Sequence, residues 1–225
     1  MNIYPTTKLF YNKYIYKLRV KAELAAIFRG MNLAHAKEKL DEMQSYAETN
    51  RTIPSPFFRF RPNDTVSVET FMDTYTIYKA LELNASICSV RVERRCLDIY
   101  SNEKDWLVDL SKKIYTKGLW EPETAEIAEF LLDNNVDTVI KNKPIEWRFK
   151  CFLGKRVDPR FAYFCRQNSN HVRIGKKALQ AIEKEHWCEG FYFYTKTEKF
   201  LMLAKIAAGS SITKIVKFVN EDELA

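Results

Sequence analysis

Two eleven-residue stretches of this chain follow one pattern, and that pattern constrains the fold more than any other feature. Leu97-Asp98-Ile99-Tyr100-Ser101-Asn102-Glu103-Lys104-Asp105-Trp106-Leu107 reads as a short strand running into a helix. Phe191-Tyr192-Phe193-Tyr194-Thr195-Lys196-Thr197-Glu198-Lys199-Phe200-Leu201 reads the same way. Tyr100 matches Tyr194, Ser101 matches Thr195, Trp106 matches Phe200 and Leu107 matches Leu201. Ser101 and Thr195 are good N-cap residues, and Thr195 with Glu198 has the spacing of a capping box. The aromatic five residues after each cap falls on the core side of its helix.

A second pair precedes these. Tyr11-Asn12-Lys13-Tyr14-Ile15 is similar to Lys141-Asn142-Lys143-Pro144-Ile145, and each leads into a mixed apolar and basic strand. The order is the same in both halves, but the intervals between paired stretches are 86 and 50 residues, so the first half is 36 longer. The helical segment Leu33 to Thr49 and the loop after it account for the excess. Internal duplication is one reading; the other is chance, because strand–cap–helix junctions look alike for physical reasons.

Helical spacing of Leu33, Ala36, Leu40, Met43 and Ala47 predicts an amphipathic helix over 33–49. Ser67 predicts the cap of another through Leu83, with Phe71, Tyr75, Tyr78 and Leu81 along one stripe. Cys88–Glu93 and Cys96–Tyr100 predict a hairpin turning at Arg94-Arg95. Strands are expected at Phe10–Val20, Val136–Ile140, Ile145–Leu153, Gly190–Tyr194 and Ile212–Val219. Helices are expected at Glu23–Arg29, Trp106–Tyr115, Glu123–Leu132, Asp158–Cys165, Lys176–His186 and Thr197–Ala208, the last ended by Gly209. The fold class that follows is α+β, with mixed helices and mainly antiparallel strands. A chain of 225 residues can bury one large core or two small ones. The charge pattern places a lobe boundary near 117–121, giving an N-terminal lobe over 1–118 and a basic C-terminal lobe over 119–225, or one compact domain.

Residues 141–177 hold eleven Lys and Arg against Glu146 and Asp158, a local charge of +9 in a chain of +7 overall. Trp147, Phe149, Phe152, Phe161, Tyr163 and Phe164 interleave with these cations. Phosphates need cations and unpaired bases need flat rings, so the mixture points to nucleic acid. The candidate contacts are Lys143, Arg148, Lys150, Lys155, Arg156, Arg160, Arg166, Arg173, Lys176 and Lys177. Arg148 and Lys150 alternating with Trp147 and Phe149 predict a row of cations opposite the aromatics on a strand. A solvated basic face is the plain alternative.

The run Gly190-Phe191-Tyr192-Phe193-Tyr194 resembles the aromatic central strand of an RNA-recognition motif. It departs at Glu189, where the motif has a basic residue, at Tyr192, where it has a small one, and at Lys196, where it has an aromatic. Alternation puts Tyr192 and Tyr194 on one face and Phe191 and Phe193 on the other, so one pair is core, and Tyr192 and Tyr194 are then candidates to stack on bases. A second basic–aromatic run, Phe57-Phe58-Arg59-Phe60-Arg61-Pro62, reads as a loop anchor or a docking loop.

Other chemistries find little support. His35, His171 and His186 form no H-x-H or H-E-x-x-H, and there is no C-x-x-C, so no metal site is expected. The six Gly form neither a dinucleotide fingerprint nor a P-loop, so no cofactor is expected. His171 reads as a phosphate contact or a general base. Glu93 and Asp98 facing each other across the hairpin could hold Mg²⁺ for phosphodiester cleavage. Five widely spaced Cys suit a reducing, cytoplasmic compartment, and no apolar run reaches the ~20 residues of a membrane span. The acidic end, Asn220 to Ala225, reads as frayed. The expectation is a nucleic-acid-binding protein whose partner is single-stranded or structured DNA or RNA. The rivals are a metal-dependent nuclease and a structural or protein-interaction subunit of a viral or phage assembly.

Overall fold

A computed structural model of the protein describes residues 1–49, 52–55, 65–133 and 137–224. The run Phe57–Pro62 lies outside these residues. The chain divides into two units, one of 1–6 with 13–123 and the other of 7–12 with 124–225.

The first unit opens with β1 (Ile3–Pro5) and β2 (Tyr16–Lys21), then a short 3-10 segment, α1 (Leu33–Glu48), the small ribbon of β3 (Ile53–Pro54) and β4 (Thr65–Val66), and α2 (Val68–Leu83). The hairpin of β5 (Cys88–Glu93) and β6 (Cys96–Ser101), α3 (Asp105–Lys113) and β7 (Thr116–Glu121) complete it. The sheet order is β1-β7-β2-β6-β5. Only β1 with β7 is parallel. Leu18, Val20, Leu97, Ile99 and Leu119 point to one side and pack under Leu40 and Met43 of α1, Phe71, Ile77 and Leu81 of α2, and Leu107 and Leu110 of α3. α2 begins as the sequence predicts, with the Ser67 hydroxyl accepting from the Thr70 N–H.

The second unit runs α4 (Ala125–Asp133), β8 (Thr138–Lys141), β9 (Phe149–Leu153), α5 (Arg160–Gln167), β10 (Val172–Ile174), α6 (Lys176–Glu183), β11 (Tyr192–Thr195), α7 (Glu198–Ala208) and β12 (Ile212–Asn220). Its sheet order is β10-β11-β9-β12-β8, again with only the last pair, β12 with β8, parallel. Phe149, Cys151, Leu153 and Phe193 form the sheet side of the core, against Phe161 and Cys165 of α5 and Leu201, Ala204 and Ala208 of α7. The fold is α+β with mainly antiparallel sheets.

The two units share one plan. In each, four antiparallel strands lie in spatial order 2-3-1-4 beside a parallel edge strand, the split β-α-β arrangement, with helices between the first and second and between the third and fourth; the second and third are a hairpin in the first unit, whereas α6 joins them in the second. The register agrees as well. In the first sheet Tyr16, Lys17, Leu18 and Arg19 pair with Ser101, Tyr100, Ile99 and Asp98. In the second, Phe149, Lys150, Cys151 and Phe152 pair with Thr195, Tyr194, Phe193 and Tyr192. The match of Tyr100 to Tyr194 therefore holds, and the extra residues of the first unit are the 3-10 segment, α1, β3 and β4. The match of Tyr11–Ile15 to Lys141–Ile145 is three residues out, because the registers set Lys17 level with Lys150 rather than with Trp147.

Several expectations need correction. Ser101 and Thr195 cap no helix. Both are fully buried strand ends, and Thr197 caps α7 by accepting from the Phe200 N–H. Tyr11 and Asn12 take positive φ of 54°, so β2 starts only at Tyr16, well after Phe10. β9 starts at Phe149, which leaves Trp147 and Arg148 before the strand. β7 lies whole in the first sheet, so the change of unit comes at 123–124 rather than 118–119. The acidic end is a 3-10 turn, Glu221–Glu223, with Glu223 on Arg148 and Leu224 packed by Ile127, Leu131 and Ile140.

Candidate nucleic-acid interface

Period-two alternation gives each sheet a second face, opposite the helices that cover its core; in the second unit Leu131 of α4 borders that face. In the second unit this face is built from two cross-strand rows. Arg173, Tyr194, Lys150 and Val216 lie level on β10, β11, β9 and β12. Tyr192, Phe152 and Lys214 lie level on β11, β9 and β12. Alternation places Phe193 at 0% exposure in the core, while Tyr192 stays 41% exposed. The run Gly190–Tyr194 thus ends on an interior strand of the sheet with both tyrosines on the open face.

The Lys150 ammonium stands 3.9 Å from the Tyr192 ring, 4.8 Å from Phe152 and 6.0 Å from Tyr194. Tyr192 and Tyr194 meet edge to face at 5.5 Å. Burial, and then the neighbouring Tyr192, raise the Tyr194 phenol above its ordinary pKa. Among the described residues no carboxylate pairs with Lys150; Glu146, which pairs with Lys196 at 3.0 Å, lines the same concavity as Arg173 and feels its charge, and Lys214 is held by Asp137 at 2.9 Å. Two adjoining concavities cross the face, of about 590 and 670 Å³, and both are lined by Lys141, Tyr194 and Phe218. Lys8 and Lys150 line the first; Lys143, Trp147 and Arg173 line the second.

The other predicted cations scatter. Arg148 precedes the strand and makes a two-pronged pair with Glu223 at 2.6 and 3.1 Å, so the expected row of Arg148 and Lys150 does not form. Phe152, two residues after Lys150, shares its face, so cation and aromatic lie together rather than on opposite sides. Lys155 and Arg156 are exposed in the turn after β9, with Lys155 over Trp187. Arg160 is tied to Asp158, and Arg166 to Glu183, on α5. Lys176 and Lys177 are exposed at the start of α6. His171 lies flat on Phe200, centroids 4.0 Å apart. Phe152, Phe218, Lys141, Lys214 and Lys8 complete the face; the sequence marks Phe152 and Lys141 only as members of the charge run and does not single them out as contacts, and Phe218, Lys214 and Lys8 lie outside that run. The alternation Lys214, Val216, Phe218 is the signal that could have found two of them.

The first sheet shows what the same face becomes when it is filled. Lys17, level with Tyr100 as Lys150 is with Tyr194, lies 3.4 Å from the Trp120 ring, and burial lowers its pKa. Tyr4 stacks on Trp120 at 4.8 Å and covers Gly118, where a Cβ would come within 2.5 Å of the Tyr4 ring. Where the second sheet sets Phe152 beside Tyr192, the first sets Arg19 beside Asp98. The Arg19 guanidinium donates to both Asp98 oxygens, at 2.5 and 2.7 Å, and to Glu93 at 2.5 Å. Glu93 and Asp98 do converge, therefore, but on Arg19, which leaves no open pair of oxygens for Mg²⁺. Among the described residues no cluster of three or more His, Cys, Asp or Glu could hold a metal.

Three buried thiols are not poised as nucleophiles. Burial pushes Cys88 up to about 11 and Cys151 and Cys165 up to about 12, which keeps them protonated. No described helix is long and apolar enough to cross a membrane. No protein-family model, no curated protein and no solved structure matches this chain.

Proposed function

We propose that the second unit binds single-stranded nucleic acid on the open face of its sheet. The observation that carries this reading is the cluster of Phe152, Tyr192 and Tyr194 around Lys150, with Arg173 level in the same row. Rings on a sheet can stack only on bases that are not already paired, which favours single strands over duplex. Arg173, Lys150 and Lys143 neutralise phosphates along the concavities, and the released counterions make binding fall steeply with salt. The reading is narrower than the charge run alone suggests, since Arg148, Arg160 and Arg166 are already paired with acids. No observation favours a nuclease, because its two acids are engaged by Arg19.

Fluorescence anisotropy against single-stranded DNA, single-stranded RNA and duplex DNA over a salt series tests the reading. Single strands are expected to bind more tightly than duplex. Lys150→Glu with Arg173→Glu is expected to weaken binding by about a hundredfold, two phosphate contacts being reversed. Lys155→Glu with Arg156→Glu, off the face, is expected to cost no more than about tenfold through the general field. No binding at low salt, or equal losses from the two pairs, would contradict the reading.

A further inference from the structure

The β5–β6 turn of the first unit breaks a local rule. Glu93 pairs with Cys96, so the hairpin turns on two residues, Arg94 and Arg95. Arg94 holds φ at +56°, the left-handed region. Two-residue hairpins favour Gly, Asn or Asp at such a position, because a longer side chain crowds the backbone there. Two adjacent guanidinium groups at one tip also repel each other. A local rule broken at an exposed turn is where a functional site is sought.

Arg94 and Arg95 share an open concavity of about 750 Å³ with Arg19, Glu93, Cys96 and Lys117. Its one carboxylate is spent: Glu93 accepts from Arg19 on one oxygen and pairs with Arg91 at 2.9 Å on the other. Among the described residues no carboxylate pairs with Arg94, Arg95 or Lys117. The turn itself is fixed, since the Arg95 carbonyl accepts from the Ala22 N–H at 3.0 Å. Three unneutralised cations on a fixed concave support form a receptor for an anion with several oxygens, and arginine forks fit phosphate best.

We infer that the Arg94-Arg95 turn, with Lys117, is a binding site for phosphate groups, separate from the sheet face of the second unit. The phosphates belong either to a nucleic-acid backbone or to a free polyphosphate compound; both present the same chemistry.

The test is calorimetric titration with inorganic tripolyphosphate, comparing the full chain with Arg94→Gly/Arg95→Asn. Glycine relieves the positive φ, so the variant is expected to melt about 2–4 °C higher while losing tenfold or more in tripolyphosphate affinity. Lys117→Gln leaves the turn intact and is expected to lose about threefold. A parallel titration with a single-stranded oligonucleotide uses protein carrying Lys150→Glu with Arg173→Glu, the pair that weakens the sheet face about a hundredfold. If the turn variant weakens that residual binding too, the phosphates are those of a nucleic-acid strand. If only tripolyphosphate binding falls, they are those of a free compound. Failure of the unaltered chain to bind tripolyphosphate at low salt, or undiminished affinity in the turn variant, would overturn the inference. Neither result bears on the sheet face.

Discussion

Arg19 and Phe152 occupy the same place in two sheets of the same plan, and they do opposite things. Arg19 satisfies Asp98, which is 2% exposed, together with Glu93. Phe152 lies beside Tyr192 and leaves an apolar, π-rich surface beneath Lys150. One pair closes its face on itself; the other leaves ring faces for a ligand. If that account is right, Arg19 is structural. Arg19→Met strands a buried carboxylate and is expected to cost about 3 kcal/mol in urea unfolding. Adding Asp98→Leu removes the stranded charge and is expected to restore most of that loss. A single substitution without measurable cost would contradict the role.

At the scale of elements, the two threonines near the start of α7 separate pattern from geometry. Thr195 precedes Glu198 by three, the spacing of a capping box, yet its hydroxyl is buried without a hydrogen-bond partner at the end of β11. Thr197 accepts from the Phe200 N–H at 3.5 Å. Thr195→Val is therefore expected to be neutral or stabilising, whereas Thr197→Ala is expected to cost about 1 kcal/mol. Thermal unfolding of both variants decides it, and the reverse order would contradict the assignment. The sequence was most legible where local physics acts alone, as in α2, with its Ser67 cap and buried Phe71, Tyr78 and Leu81. It was least legible where a strand exists only because neighbours pair with it. β10 has three residues, and β7 (Thr-Lys-Gly-Leu-Trp-Glu) carries two charges and a glycine that Tyr4 requires. Neither has an alternation long enough to announce itself.

Over the whole molecule, charge located the unit and register located the face. The excess of cations over 141–177 marks the second unit, but half-buried Lys150 and exposed Arg173 reach the open face while Arg160, Arg166, Lys176 and Lys177 belong to helices α5 and α6. No spacing in the sequence separates those groups, because the separation depends on which strands pair. The tyrosines were legible, since alternation alone divides Tyr192 and Tyr194 from Phe191 and Phe193. Their partners from β9 and β12 were not. The central claim is that bases stack on this face. The direct measurement is ultraviolet crosslinking of a single-stranded oligonucleotide carrying 5-iodouracil, read by peptide mass spectrometry. Crosslinks are expected at Tyr192, Tyr194 and Phe152. Crosslinks confined to α5 and α6, at exposed Tyr163 for example, would contradict the claim and return the interface to the helical side.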